Sequence, residues 1–229
     1  MARATTTGRT PVIANERTLK ASRYRWDKEV RTEALKEAQR TGVFAEPRGL
    51  YNTEVLPVGG VKSIGGLEVS SVPVSHDAAD TVCYTFRAGI QQGMILTDLG
   101  CATDPIFEPM YHSDLIVLEA NHDLERLYKS NRPQFLKSRI ASDHGHLSNK
   151  QSAEILCQVI EWSGLNHTVW LAHLSQENND PKNAVKYIGN CLESRGILKF
   201  SLKVALRDKP SLSWNAQDSL FQAQMLFDF

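Results

Sequence analysis

The chain has 229 residues, 41% of them hydrophobic, and its 26 basic and 26 acidic side chains cancel. This length and composition are typical of a globular protein with one substantial core. The neutral total excludes a strongly basic nucleic-acid-binding chain, although it leaves room for a local basic face. The longest apolar runs, such as Leu115 to Leu118, are far shorter than the roughly 20 residues of a membrane helix. We therefore expect no interaction with a membrane.

The cysteines and the first fifteen residues indicate in which cellular compartment the protein resides. The four cysteines, Cys83, Cys101, Cys157 and Cys191, form no Cys-x-x-Cys pair and no dense framework, which favours reduced thiols in the cytosol. The first fifteen residues contain two arginines and no acid, but no amphipathic period and no apolar stretch typical of a targeting peptide. We expect a cytoplasmic protein.

The first half of the sequence predicts a charged helix and then a group of strands. From Asn15 to Thr41 the apolar residues recur every three to five positions, which indicates one or two exposed helices that end at Gly42. The segments "LEVSSVPV", "TVCYTFRA" and "GMILTDLG" alternate as half-buried strands do. We expect the last two to form a hairpin with "GIQQG" as its turn.

The second half alternates strands with helices. Buried strands are predicted in "SDLIVLEA" and "HTVWLAHLS", with helical stretches around residues 124–128 and 133–140 between them. The clearest helix runs from Ser148, which has Gln151 as its capping-box partner, to Gly164. Another follows Asp180 and Pro181. The pattern predicts an α/β domain over residues 15–229 behind a polar segment of residues 1–14.

Three predicted strands end on groups that can bind a metal, namely His76, Asp98 and His173. Strand ends on one edge of a sheet lie close together, and two imidazoles with a carboxylate suit Zn²⁺ or Mn²⁺. His146 precedes the capped helix, where free backbone N–H groups favour an anion such as phosphate. A histidine at a strand end is also a common structural residue, and Asp98 before Gly100 is typical of a turn. The pattern alone leaves both interpretations open.

Five segments in order resemble one known family. "VPVSHDAAD", "GMILTDLG", "LIVLEANHD", "DHGHLSN" and "LAHLSQENN" are similar to motifs of the metallo-β-lactamase-fold hydrolases, and most of all to the YycJ/WalJ-type exonuclease branch. The resemblance implies an αββα sandwich, two divalent metal ions (zinc or manganese) at its open edge, and cleavage of phosphodiester bonds. It also implies DNA, or another phosphodiester, as the substrate.

The resemblance assigns roles to individual residues. His76 resembles a histidine that completes one metal's ligand set, Asp98 the aspartate that bridges both metals, and His173 the terminal ligand of the second metal. His146 resembles the catalytic histidine that contacts the scissile phosphate and protonates the leaving oxygen. The residues that match signatures of the branch line the substrate groove or serve as scaffold: Asn121, His122 and His144.

One family signature, His-x-His-x-Asp-His, does not occur in this sequence. The resemblance begins downstream of it, which predicts an incomplete sandwich that lacks N-terminal strands and most of the metal ligands. We therefore expect weak metal binding and impaired hydrolysis by this chain alone, as in a truncated product or one half of a split enzyme. The alternative is an inactive fragment or a nucleic-acid-binding remnant. A homo-oligomer, or pairing with a separate N-terminal half, stays open.

Overall fold

The computed structural model describes residues 12–42 and 53–215, which belong to two compact units, Met1–Val61 and Lys62–Phe229. In the first unit, β1 (Val12–Ala14) pairs in parallel with β2 (Thr53–Val55), and α1 (Glu16–Thr41) lies between them in sequence. The predicted charged helix is therefore a single one. Whether residues 1–14 form a separate segment stays a prediction.

A sheet of seven strands dominates the second unit, in the chain order β3 to β9. The strands β4, β5 and β6 are antiparallel, and β6 to β9 are parallel. Consequently β4, β6, β7, β8 and β9 all end at the same edge. The strands are β3 (Val61–Ile64), β4 (Leu67–Pro73), β5 (Val82–Ala88), β6 (Gln91–Leu96), β7 (Leu115–Glu119), β8 (Thr168–Ala172) and β9 (Ser201–Val204).

The hairpin between β5 and β6 is tighter than the sequence indicated. Its turn is Gly89 and Ile90, and both glutamines of "GIQQG" already lie in β6. Gly89 has a φ of 62°, which glycine adopts without strain at the first position of a two-residue turn. The predicted five-residue turn was therefore too long.

Five helices follow the antiparallel strands, and four of them were predicted. They are α2 (Asp104–Tyr111), α3 (Leu124–Lys129), α4 (Gln134–Ile140), α5 (Asn149–Ser163) and α6 (Pro181–Ser194). The predicted capping box of α5 is present, with the Ser148 hydroxyl accepting from the amide of Gln151 and the Gln151 side chain accepting from the amide of Ser148. Helix α2 was not predicted, because its prolines resemble helix breakers, although one of them occupies the first turn.

The core lies between one face of the large sheet and three of these helices. Alternate residues of β6, β7 and β8, such as Met94, Ile116 and Val169, are buried against residues of α2, α5 and α6. On the other face of the sheet, Ile95 is 42% exposed. This arrangement confirms the predicted α/β class.

The last described residues, 205–215, form no regular helix or strand, and residues 216–229 lie outside the described residues. No helix in the described ranges has the length and apolarity needed to cross a membrane.

Candidate metal-binding and catalytic site

The structure brings His76, Asp98, His146 and His173 together at the edge where the parallel strands end. The Asp98 Oδ1 atom lies 3.9 Å from His76 Nε2, 3.9 Å from His146 Nδ1 and 3.8 Å from His173 Nδ1. The ring centroid of His146 is 5.1 Å from that of His76 and 5.2 Å from that of His173. Residues separated by up to about a hundred positions therefore form one cluster, which agrees with the argument from converging strand ends.

Two members of the cluster have unusual backbone conformations. Asp98 has a φ of 60° and His173 a φ of 56°, in the left-handed region that side chains other than glycine rarely adopt. The carbonyl of His173 is held by a 2.9 Å hydrogen bond from the Asn121 side-chain amide. Such conformations concentrate at functional sites, because the surrounding structure must hold them in place.

Glu119, the last residue of β7, is a site residue that sequence reasoning missed. It is fully buried, and its Oε1 atom accepts hydrogen bonds from His146 Nδ1 (2.8 Å) and His173 Nδ1 (2.6 Å). Its Oε2 atom accepts from the amide of Leu99 at 3.0 Å. The available signal was an acid that closes an otherwise apolar strand, since buried carboxylates are rare unless they are paired.

The ionisation of Glu119 determines which ring nitrogen of each partner donates to it. Burial favours a raised pKa, but the hydrogen bonds from His146, His173 and Leu99 together hold the pKa of Glu119 below its ordinary value. The carboxylate is then ionised at neutral pH and can only accept. Both imidazoles therefore donate from Nδ1, which leaves Nε2 of each ring as the nitrogen available to a metal or a substrate.

His76 is oriented in the same way by a backbone group. Its Nδ1 atom lies 2.9 Å from the carbonyl oxygen of Gly145, which can only accept, so Nδ1 carries the proton. The Nε2 lone pair of His76 is on the side of Asp98 and of Asp77, whose Oδ1 atom is 3.5 Å away. Metal-binding histidines commonly donate their second nitrogen to a carbonyl or carboxylate in this manner.

The donor set fits a divalent transition metal. Two triads have candidate ligand atoms within 4.8 Å of one another, and His146 belongs to both: His76, Asp98 and His146, and Glu119, His146 and His173. Imidazole nitrogen with carboxylate oxygen is a donor combination that zinc and manganese accept. The geometry thus makes His146 a candidate ligand as well as a candidate catalytic group.

A cavity of about 1230 Å³ lies over the cluster. Asn121 is part of its wall, as are His76, Asp98, His146 and His173. His144 is exposed and does not line that wall, and its Nδ1 atom lies 2.9 Å from the Ser75 hydroxyl. His122 is fully buried, and neither ring nitrogen has a hydrogen-bond partner among the described residues. Burial lowers its pKa to about 4. Of the three residues expected in a groove, only Asn121 lies at the cavity.

Two of the backbone N–H groups at the start of α5 already have hydrogen-bond partners. The amide of Asn149 donates to the carbonyl of His122 at 2.9 Å, and that of Gln151 donates to the Ser148 hydroxyl at 3.3 Å. These interactions use two of the donors that were expected to bind a phosphate. An anion beside His146 would therefore have fewer of these amides as partners.

Two ion pairs lie at the rim of the cavity. Arg139 contacts Asp77 at 2.5 Å, and Arg132 contacts Glu177 at 2.8 Å. The hydrogen bond from Arg139 holds the pKa of Asp77 below its ordinary value. These two arginines are thus already neutralised by acidic partners.

The fold places the chain among proteins of the metallo-β-lactamase fold. It aligns with the metallo-β-lactamase fold protein YhfI from Bacillus subtilis at a TM-score of 0.55 and 11% identity, over 92% of this chain and 68% of that one. It also aligns with Zn²⁺-bound PqqB from Methylobacterium extorquens at a TM-score of 0.50 and 11% identity, over 93% and 64% of the two chains. The expected fold is confirmed.

In sequence, the chain is similar to an exodeoxyribonuclease. It is 35% identical to exodeoxyribonuclease YycJ of Bacillus anthracis over 143 residues, which are 62% of this chain and 53% of that protein. The chain thus spans about half the length of the curated relative it matches. No protein-family model matches it. This similarity confirms the resemblance to the YycJ/WalJ-type exonucleases that the motifs indicated.

Proposed function

We propose that this chain carries the metal-binding edge of a metal-dependent phosphodiesterase that acts on DNA as an exonuclease. The observation that carries the proposal is the convergence of three histidines and Asp98 from separate segments of the chain, with buried Glu119 orienting two of the rings. The similarity to an exodeoxyribonuclease supports a DNA phosphodiester as the substrate.

Each group has a distinct part in this proposal. His76, Asp98 and His173 would hold a divalent ion, and His146 contacts the phosphate. When bound, such an ion would ionise a water and neutralise charge on the phosphate. His146 donates a proton from Nε2 to the leaving oxygen, and the hydrogen bond from its Nδ1 to Glu119 holds the ring in position for that transfer.

Binding of nucleic acid without cleavage is the second candidate function. The two triads share His146, so they offer five donor residues in all, and Glu119 is already occupied by three hydrogen bonds. Two four-coordinate ions would require more protein ligands than these residues supply. A chain that holds metal weakly would retain the cavity and its charged rim without rapid hydrolysis.

Cleavage assays on the full chain separate the two candidates. Purified protein is incubated with a 5′-labelled oligodeoxynucleotide and Mn²⁺ or Zn²⁺, next to Asp98→Asn and a control, His112→Ala, which changes an exposed histidine outside the cavity. We expect metal-dependent shortening of the DNA by the wild type and by His112→Ala, and its loss in Asp98→Asn. DNA binding without cleavage under both metals would support the second candidate and contradict the first.

A further inference from the structure

A short turn after β9 brings two cationic side chains to the cavity. The amide of Ala205 donates to the carbonyl of Leu171 at 2.9 Å, which continues the pairing with β8 one residue beyond β9. The amide of Leu206 then donates to the Ser211 hydroxyl at 2.8 Å and closes the turn. Both Arg207 and Lys209 lie in this turn and belong to the cavity wall. We call residues 206–211 the rim turn.

The two cations of the rim turn differ from the other cations of the cavity in their partners. Arg132 and Arg139 have acidic partners, whereas Arg207 and Lys209 are exposed and have no ion-pair partner within the described ranges. One acid that borders the cavity, Asp180, is used to cap α6 by accepting from the amide of Asn183 at 3.0 Å. Within the turn itself, Asp208 is the one acid and it offsets only part of the positive charge.

The rim turn shares the cavity with the metal-binding cluster. Arg207 and Lys209 line the same cavity as Asp98 and His173. An anion bound at the turn is therefore a neighbour of anything bound at the cluster.

We propose that Arg207 and Lys209 form a phosphate-binding subsite for the nucleic-acid backbone next to the scissile phosphate. This inference rests on the proposed function, because it assigns a second phosphate of the same substrate. Arginine and lysine suit phosphate oxygens, and contacts to the backbone position a strand without reading its sequence. The subsite would distinguish a polymer, which presents several phosphates, from a small phosphodiester with one.

Salt-dependent binding tests the subsite. The full chain is titrated, in EDTA, against a short fluorescein-labelled single-stranded oligodeoxynucleotide over a series of salt concentrations. For the variant Arg207→Ala/Lys209→Ala we expect weaker binding and a slope of log K against log salt that is shallower by about 1.4, for two lost phosphate contacts. Inorganic phosphate is the competitor, and it should displace the oligonucleotide poorly because the proposed ligand is a polymer.

A matched control removes the same charge elsewhere. Lys199→Ala/Lys203→Ala deletes two exposed cations that do not belong to the cavity wall, and it should leave affinity and slope unchanged. If the wild type binds the oligonucleotide and both double variants behave alike, the subsite is refuted while the proposed function stands. If the wild type neither binds nor cleaves DNA, both proposals are refuted.

Turnover of two substrates gives an independent readout. With Mn²⁺ present, Arg207→Ala/Lys209→Ala should raise KM for the oligonucleotide and leave kcat/KM for bis(p-nitrophenyl) phosphate unchanged, because the small diester has no second phosphate. An equal loss on both substrates would show that the rim turn supports the cluster itself, and would contradict a separate backbone contact.

Discussion

At the scale of single residues, Glu119 orders the site. One buried carboxylate fixes the tautomer and direction of two histidines that come from different elements, and a backbone amide holds the carboxylate in turn. Groups that act on metal ligands in this way usually contribute substantially to metal affinity although they do not bind the metal themselves. The site therefore depends on a residue inside the apolar core as well as on the polar rim.

Replacing Glu119 by glutamine tests that dependence. The neutral amide keeps the shape but weakens both hydrogen bonds, so we expect Mn²⁺ affinity to fall by about 10-fold to 100-fold. Isothermal titration calorimetry measures it, with Glu125→Gln as the control because Glu125 forms only an exposed pair with Lys129. Equal affinities in Glu119→Gln and the wild type would show that the carboxylate does not orient the ligands.

The protonation of buried His122 should make the stability of the protein depend on pH. Its pKa is about 4 in the folded state because the ring is buried, and about 6.5 in the unfolded chain. Between these values the unfolded state binds more protons, so stability should fall as the pH drops from about 6.5 to 4, by up to about 3 kcal/mol.

Urea unfolding at several pH values measures this effect. The variant His122→Asn keeps a polar side chain that does not titrate, so its free energy of unfolding should depend less on pH over the same interval. Identical pH dependence of the variant and the wild type would show that His122 contributes nothing to acid destabilisation.

At the scale of elements, the loop before α5 positions His146 through a close backbone approach. A side-chain carbon on Gly145 would overlap the carbonyl oxygens of Arg139 and Ile140 at the end of α4. The same glycine carbonyl orients His76. The loop therefore packs against the end of α4 and orients a residue of the cluster. Glycine is required at position 145 because there is no space for a side chain, and not because of its backbone angles.

Alanine substitutions at Gly145 and Gly189 should have opposite effects on stability. Gly145→Ala should destabilise the protein by about 1–3 kcal/mol through overpacking and lower metal affinity. Gly189→Ala, in the interior of α6, meets its nearest neighbour, the Phe200 ring, at 3.8 Å and should stabilise by up to about 1 kcal/mol. Thermal unfolding and metal titration of both variants measure these effects. If the two variants were destabilised to the same degree, the close packing around Gly145 would not explain the need for glycine there.

Elements with strong local signals were predictable from sequence, and long-range contacts were not. The capping box of α5 and the alternation in β4 and β5 are local, so the pattern indicated them correctly. The role of Glu119 depends on residues 27 and 54 positions away, which no periodicity encodes. Likewise β9 is a short strand at the sheet edge whose pairing with β8, and not its composition, defines it.

At the scale of the whole molecule, one topological fact produces the site. Since β4, β6, β7 and β8 run in the same direction, the residues that follow them meet at one edge, and His76, Asp98 and His173 each come within four residues of a strand end. The segment after β9 reaches the same edge for the same reason and contributes the rim turn. The cluster and its charged border are thus consequences of strand direction in the second unit.

Mn²⁺ binding to the full chain, followed by electron paramagnetic resonance, is the decisive test of the metal-binding cluster. We predict that the wild type and His112→Ala bind the ion alike, while Asp98→Asn and His173→Ala each lose most of it. Mn²⁺ binding that is absent from the wild type, or that survives in both site variants, would contradict it.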